Sequence, residues 1–307
     1  MEELTLTING LPLEETLKSH QRWMEEESTG RRCLLEGATL NEAQLRGVNL
    51  RGAIMRGTTF LDADLSGANL SAALFDADDF ERALLSNADL SGAEISESEF
   101  SFAWLSGAIF SDARLRTSSF RKANMRESRF QGTVIESCKF PAAILSAASF
   151  HHARISSCDF SDSEFIKTRL PRVQIRASRF VSVNASGANF SNARILACDF
   201  ARAELTGAKF FQADLTGSQF DRVFLNEADL REAQLSGVSL GRAELRHARF
   251  RGAKLFAADL RGSDLTGAQE LTANQFAQAR TDESTILPNG SRGPFHKFSG
   301  AERPICL

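Results

Sequence analysis

From residue 35 to residue 265, a large apolar side chain recurs at every fifth position without a slip in frame. The 47 positions hold 22 Leu, 17 Phe, 5 Ile, 2 Met and one exception, Ala185. Two residues before each of them stands a small side chain, Ala, Ser, Thr, Val or Cys, and only Asp78 breaks this second track. An apolar residue at every fifth position drifts around a 3.6-residue helical turn, so no single helix face holds it. A period-2 strand does not hold it either. A fixed repeat with two inward residues in five predicts a solenoid in which each coil stacks on the one before.

The wording of the repeat adds a resemblance. Ala63-Asp64-Leu65-Ser66-Gly67 runs directly into Ala68-Asn69-Leu70, and Ala88-Asp89-Leu90-Ser91-Gly92, Ala213-Asp214-Leu215-Thr216-Gly217 and Ser263-Asp264-Leu265-Thr266-Gly267 repeat the phrase. The chain resembles the pentapeptide-repeat proteins, whose unit is Ala-(Asp/Asn)-Leu-X-X, over roughly residues 33 to 269. The resemblance implies an all-β fold: a right-handed, four-sided β-helix with four units and 20 residues per coil. On that basis the 47 units make about twelve coils, a rod about 55–60 Å long at ~4.8 Å per coil.

Sorted by a 20-residue turn, the large inward residues fall into unequal columns. One holds Phe at 60, 80, 100, 120, 140, 160, 180, 200 and 220; another holds Ile135, Ile155, Ile175 and Ile195; a third is nearly all Leu, with Met125, Phe165 and Ala185 inside it. At Ala185 the missing bulk is expected to be refilled by Val183 and Phe165. The small partners of the Phe column are polar or sulfur-bearing: Thr58, Asp78, Ser98, Ser118, Cys138, Cys158, Ser178, Cys198 and Ser218. Stacked rings are therefore expected beside a ladder of hydroxyls and thiols bonded to neighbouring backbone. Asp78 reads as a structural acceptor in this ladder, because a catalytic carboxylate there would point into a filled core. Pro141 and Pro171 fall at corners, where a fixed φ is tolerated.

The ends differ from the middle. Leu4, Leu6 and Ile8 alternate before Asn9-Gly10, a strand and turn signal. Leu13, Leu17, His20 and Met24 share a helical face, with Gly30 as the stop. Residues 1–32 are expected to cap the open edge of the first coil of a β-helix spanning 33–269. Thr272-Ala273-Asn274-Gln275 reads as a capping box for a short helix to about Arg280, within a closing segment 270–287. Residues 288–307 read as a flexible tail.

Composition narrows the function classes. The 307 residues are 42% hydrophobic and 24% charged, with a net charge of −3. There is no basic excess for direct nucleic-acid binding and no apolar run of the ~20 residues that span a bilayer. The acidic start, Met1-Glu2-Glu3, lacks a secretory pattern, so a cytoplasmic address is expected. Cys33, Cys138, Cys158 and Cys198 occupy small inward positions and act as small hydrophobes; Cys306 lies in the tail. No phosphate loop, nucleophile elbow or zinc motif occurs. His151-His152 is the one local oddity, and a solvated corner is its favoured reading over a metal site. No cofactor and no enzyme activity are expected.

What remains is surface. Residues 61–100 carry a net charge of −9, residues 111–130 carry +4 and residues 171–180 carry +3. Beside the acidic band stand Phe102 and Trp104, outward positions where the repeat needs no aromatic ring, together with Ile109; Leu84 and Ile144 share the Trp104 column. Phe102, Trp104, Asp79, Glu81, Glu97 and Glu99 are the candidate partner surface, for a protein partner or a second copy in a homodimer. The first functional reading is a non-catalytic interaction scaffold. The alternative comes from the resemblance: some pentapeptide-repeat proteins mimic B-form DNA and protect DNA gyrase from inhibitors. Glu164, Glu204, Glu244 and Asp264 form the matching acidic column. Basic columns beside it, Arg129, Arg169, Lys209 and Arg249 among them, and the near-neutral net charge rank the mimic second.

Overall fold

The computed structural model describes residues 7–8 and 11–304. Leu4 and Leu6, the Asn9-Gly10 turn signal and Cys306 lie outside the described residues. The chain divides into two units, one ending at Ala143 and one beginning at Ile144.

The first unit opens with β1 (Thr7–Ile8) paired antiparallel to β2 (Leu11–Pro12), followed by α1 (Leu13–Met24). The helix ends earlier than Gly30. Glu25 and Glu26 donate their N–H groups to the Gln21 and Trp23 carbonyls, and Glu26 takes a positive φ of 60°. Gly30 serves close approach instead: a Cβ there would lie 2.1 Å from the Trp23 nitrogen. His20 on α1 is buried, and its Nδ1 accepts the N–H of Cys33 at 3.0 Å, which ties the helix to the first coil.

From Cys33 the chain winds as a parallel β-solenoid. One wall of the first unit consists of β3 (Leu34–Glu36), β4 (Ile54–Arg56), β5 (Leu74–Asp76), β6 (Glu94–Ser96), β7 (Arg114–Arg116) and β8 (Val134–Glu136), in which β3 to β7 are each paired parallel with the strand 20 residues on. The other three walls are held by single parallel bridges in the same register, such as Asp79↔Glu99 and Leu84↔Trp104. In the second unit β9 (Arg154–Ser156), β10 (Gln174–Arg176) and β11 (Arg194–Leu196) continue the pattern, after which single bridges carry all four walls. Among the described residues full strands form at nine passes, fewer than the about twelve coils expected from counting repeats.

The two inward residues of each unit are buried, except that Ala38 and Val48 in the first coil are half-buried, and the ring stacks follow the Phe column. Phe60, Phe80, Phe100, Phe120 and Phe140 stack in the first unit at 4.5–4.9 Å between centroids, with planes within 8° of parallel. Phe160, Phe180, Phe200 and Phe220 stack in the second at 4.6–4.8 Å, with planes within 16° of parallel. Ala185 and Val183 are both buried, and the Phe165 ring meets Phe150, Phe160 and Phe180.

The polar ladder beside these rings has a specific cause. At most corners the N–H of the small residue bonds the carbonyl three residues back, as Ala63 does to Phe60. After a full strand the wider corner sends that N–H elsewhere. Thr58, Asp78 and Ser98 donate theirs to Asp78 Oδ1 (2.8 Å), Ser98 Oγ (3.2 Å) and Ser118 Oγ (3.1 Å), one coil on. Cys158 and Cys198 donate to Ser178 Oγ and Ser218 Oγ in the same way. A buried N–H without an acceptor is costly, so each full strand demands a polar residue in the next coil. The polar run stops at Ser218 because β11 is the last full strand. Ser218 itself returns to the short corner, its N–H on the Leu215 carbonyl at 3.1 Å. Asp78, only 1% exposed, fills its rung with a carboxylate whose Oδ2 also accepts the Asp76 N–H at 3.1 Å. Burial pushes its pKa up to about 7; the N–H bonds from Thr58 and Asp76 oppose this and the Asp76 charge adds to it.

The second unit closes on α2 (Ala273–Phe276), shorter than the expected run to Arg280. Thr272 and Gln275 form the reciprocal capping box, and the Gln275 amide donates to the Phe250 and Ala253 carbonyls at the coil edge. Phe276 is buried against Phe295, Phe295 donates its N–H to Thr281 Oγ1, and Asn289 bonds the Ala301 carbonyl.

Candidate interaction surface

The register of the solenoid decides which outward side chains share a wall. In the first unit Thr59, Asp79, Glu99, Ser119 and Lys139 are successive bridge partners and form one wall; Gln44, Asp64, Leu84, Trp104 and Asn124 form the next. The corner between them carries Asp62, Glu81, Arg82, Phe102, Arg121 and Lys122. The candidate residues therefore fall into a single neighbourhood: Asp79 and Glu99 on the first wall, Glu97 and Glu81 at its two edges, Phe102 on the shared corner and Trp104 across it. Ile109 lies one wall further, bridged to Asp89 and Arg129, and Ile144 belongs to the second unit.

The aromatic part is exposed. Trp104 is 53% accessible, Phe102 42% and Leu84 39%. Leu84 and Trp104 line a shallow surface groove with Arg46, Ser66, Gly67, Ser86 and Asn87. The Phe102 ring has the Lys122 ammonium 5.6 Å from its centroid, a cation–π contact. Phe102 holds its corner with a positive φ of 61°, a conformation that most side chains adopt only at a cost.

The acidic part is largely unneutralised. Asp79 Oδ1 accepts the Glu81 N–H at 2.9 Å and Glu99 Oε1 accepts the Ser101 N–H at 2.8 Å, local bonds that leave the charge in place. Arg82 forks onto Asp62 with two bonds of 2.9 and 2.8 Å and also meets Glu81. This fork holds the Asp62 carboxyl below its ordinary range. Among the described residues Asp79, Glu97 and Glu99 make no ion pair.

In the second unit Glu164, Asn184, Glu204, Phe224, Glu244 and Asp264 are successive bridge partners, so the acidic column shares one wall. Its carboxylates are half-buried and locally engaged. Glu164 bonds the Ser146 hydroxyl, Glu204 caps Thr206, Glu244 accepts from Asn226 at 3.2 Å, and Asp264 takes both Thr266 and Arg246 Nε at 2.8 Å. Asn184 and the exposed Phe224 interrupt the charge. His151 and His152 stand edge-on with ring centroids 4.5 Å apart, and the described residues hold no group of three potential ligands around a common point. No helix among them is long and apolar enough to cross a membrane.

Sequence reading alone undervalued the basic residues of the same first-unit neighbourhood, Lys139 on the wall and Arg121 and Lys122 at its corner. The 20-residue register was the signal that brings them into line with the acids.

Comparison with known proteins agrees with this architecture. A family model described as pentapeptide repeats (8 copies) matches residues 32–76, 79–112, 98–136, 108–146, 208–246 and 233–268, and one described as a pentapeptide repeat region matches 133–210. Among solved structures the chain is similar to HetL, a pentapeptide repeat protein involved in heterocyst differentiation regulation from the cyanobacterium Nostoc sp. strain PCC 7120. The identity is 23% over 89% of this chain and 96% of that one, with a TM-score of 0.27. It is similar to QnrB1, a plasmid-mediated fluoroquinolone resistance protein, at 22% identity over 73% and 89% of the chains and a TM-score of 0.40. A pentapeptide repeat protein of the Arabidopsis thaliana thylakoid lumen shares 28% identity over 33% and 70%, with a TM-score of 0.28. No curated protein sequence matches significantly.

Proposed function

Because this chain belongs to the pentapeptide-repeat family, a solenoid whose inward side chains are consumed by its own core, we propose that it works as a non-catalytic, cytoplasmic interaction scaffold. The docking surface is the first-unit neighbourhood of Phe102, Trp104, Asp79, Glu81, Glu97 and Glu99. The observation that carries this is the pairing of exposed Trp104, Phe102 and Leu84 with Asp79, Glu97 and Glu99, carboxylates that make no ion pair among the described residues. Exposed aromatic rings beside uncompensated charge suit recognition of a protein partner. A fold with rigid walls places function in what those walls display.

The test compares immobilised wild type with Trp104→Ala and Glu97→Lys as baits for host extract. A partner retained by the wild type and lost by both variants supports the proposal; an identical captured set for all three sinks it. Action as a DNA mimic on gyrase stays the second reading. Its column, Glu164, Glu204, Glu244 and Asp264, spends its carboxylates on neighbouring side chains and corners and is broken by Phe224.

A further inference from the structure

The wall that carries Asp79 and Glu99 changes sign along its length within the first unit. Its early coils present Asp76, Asp79, Glu81, Glu97 and Glu99. Its later coils present Arg116, paired with Glu136 at 3.1 Å, and Arg121, Lys122 and Lys139, all on the same wall or its edges. Lys139, Arg121 and Lys122 are exposed and, among the described residues, make no ion pair.

We propose that this wall pairs with the same wall of a second copy of the chain, antiparallel, about a two-fold axis passing between Glu99 and Ser119. The proposal rests on reading the acidic neighbourhood as a docking surface and names its occupant. A two-fold axis lying in the interface and perpendicular to the stacking direction of the coils brings the two walls face to face and exchanges early coils for late ones while keeping each edge against the same edge, so each residue meets a fixed counterpart in the second copy. Asp79 then faces Lys139 of the second copy. Glu97 faces its Arg116, Glu99 faces its Ser119, and Phe102 faces its Arg121 and Lys122. Each meeting is an ion pair, a carboxylate–hydroxyl bond or a cation–π contact, and each occurs twice. The opposite arrangement, parallel copies in register, would set Asp79 on Asp79 and Lys139 on Lys139, which the charges forbid. The sign reversal therefore selects both the occupant and its direction.

The wall is narrow, and four coils at ~4.8 Å span only about 19 Å. That area lies below the ~800 Å² per partner of stable complexes, so the pairing is weak and driven by charge. Such an interface responds steeply to salt.

Sedimentation of the full chain at about 20 mM and about 0.5 M salt tests this, with charge reversals as the decisive arm. The wild type should self-associate at low salt, with at least about a tenfold loss of association constant at high salt. Asp79→Lys and Lys139→Glu should each abolish association, since each sets like charges together. The double variant Asp79→Lys/Lys139→Glu should restore it, and so should an equimolar mixture of the two single variants. Circular dichroism confirms that each variant folds. A wild type that stays monomeric at low salt, or a double variant no better than the singles, overturns the proposal. The broader docking reading would survive that result if capture from host extract still depended on Trp104 and Glu97.

Discussion

Replacing Asp78 by Ser should stabilise the protein, and by an amount that grows with pH. Serine is what Ser98 and Ser118 already use on the same ladder. There a hydroxyl accepts the N–H one coil back and donates to the carbonyl two residues earlier, as Ser98 Oγ does to Ser96 at 2.8 Å. The Asp78 carboxylate keeps the accepting half of that role but carries a buried charge, and its pKa rises from 3.8 to about 7. A group whose pKa is raised by folding contributes its stability below the unfolded pKa and loses it as pH rises through the folded one. The window is therefore about pH 4 to 7. The full shift corresponds to about 4 kcal/mol, of which about 2.5 kcal/mol is lost between pH 5 and pH 8. The stability advantage of Asp78→Ser over the wild type should widen by about 2.5 kcal/mol across that interval. Paired urea melts at pH 5 and pH 8 measure it, and other titrating groups, present in both proteins, cancel in the difference. An advantage constant to within about 0.5 kcal/mol would show that the Thr58 and Asp76 N–H groups hold the carboxylate ionised throughout, and the burial argument would fail.

Phe100→Ala, which removes a ring stacked on Phe80 and Phe120, should cost about 3–5 kcal/mol in the same melts. Thr117 holds a positive φ of 49° with a β-branched side chain; Thr117→Gly should add about 1 kcal/mol, and a destabilised variant would show that the corner is not strained. Burial holds the His20 imidazole below its ordinary pKa, the Arg51 backbone opposes this and the Arg32 charge adds to the lowering. A neutral buried His loses stability as pH falls below about 6.5. The Trp23 ring stacks 5.3 Å from His20, so its fluorescence should report a loosening of α1 between pH 7 and pH 5 that His20→Gln removes. Addition of the protein at about micromolar concentration should leave gyrase supercoiling unprotected against a quinolone; protection lost on combined Glu164→Lys, Glu204→Lys and Glu244→Lys would promote the mimic reading.

The core was legible because its constraint repeats. A period of five with two inward positions permits one kind of winding, and the Phe column sorts only under a 20-residue turn. The polar ladder was visible as composition, but its reason was not. Ser and Cys at 98, 118, 138, 158, 178 and 198 read as small inward residues with useful hydroxyls and thiols. The demand for them arises only where a full strand widens the following corner, which is a property of backbone hydrogen bonding that no side chain announces. The end of that demand at Ser218, with Val238 and Ala258 beyond it, was written in the sequence all along as the point where the column turns apolar. The helix ends were misjudged for a related reason. Gly30 carries the mark of a stop, yet a glycine also permits two backbones to touch, and only the position of Trp23 decides between the two. Surface function is legible to a lesser degree because outward positions obey no period. Lys139 stands in register with Asp79 and Glu99, and on the wall it is the residue that makes the two ends opposite in sign. The same register that buries the rings fixes that opposition, so a solenoid built for stacking carries a directional charge pattern along one wall.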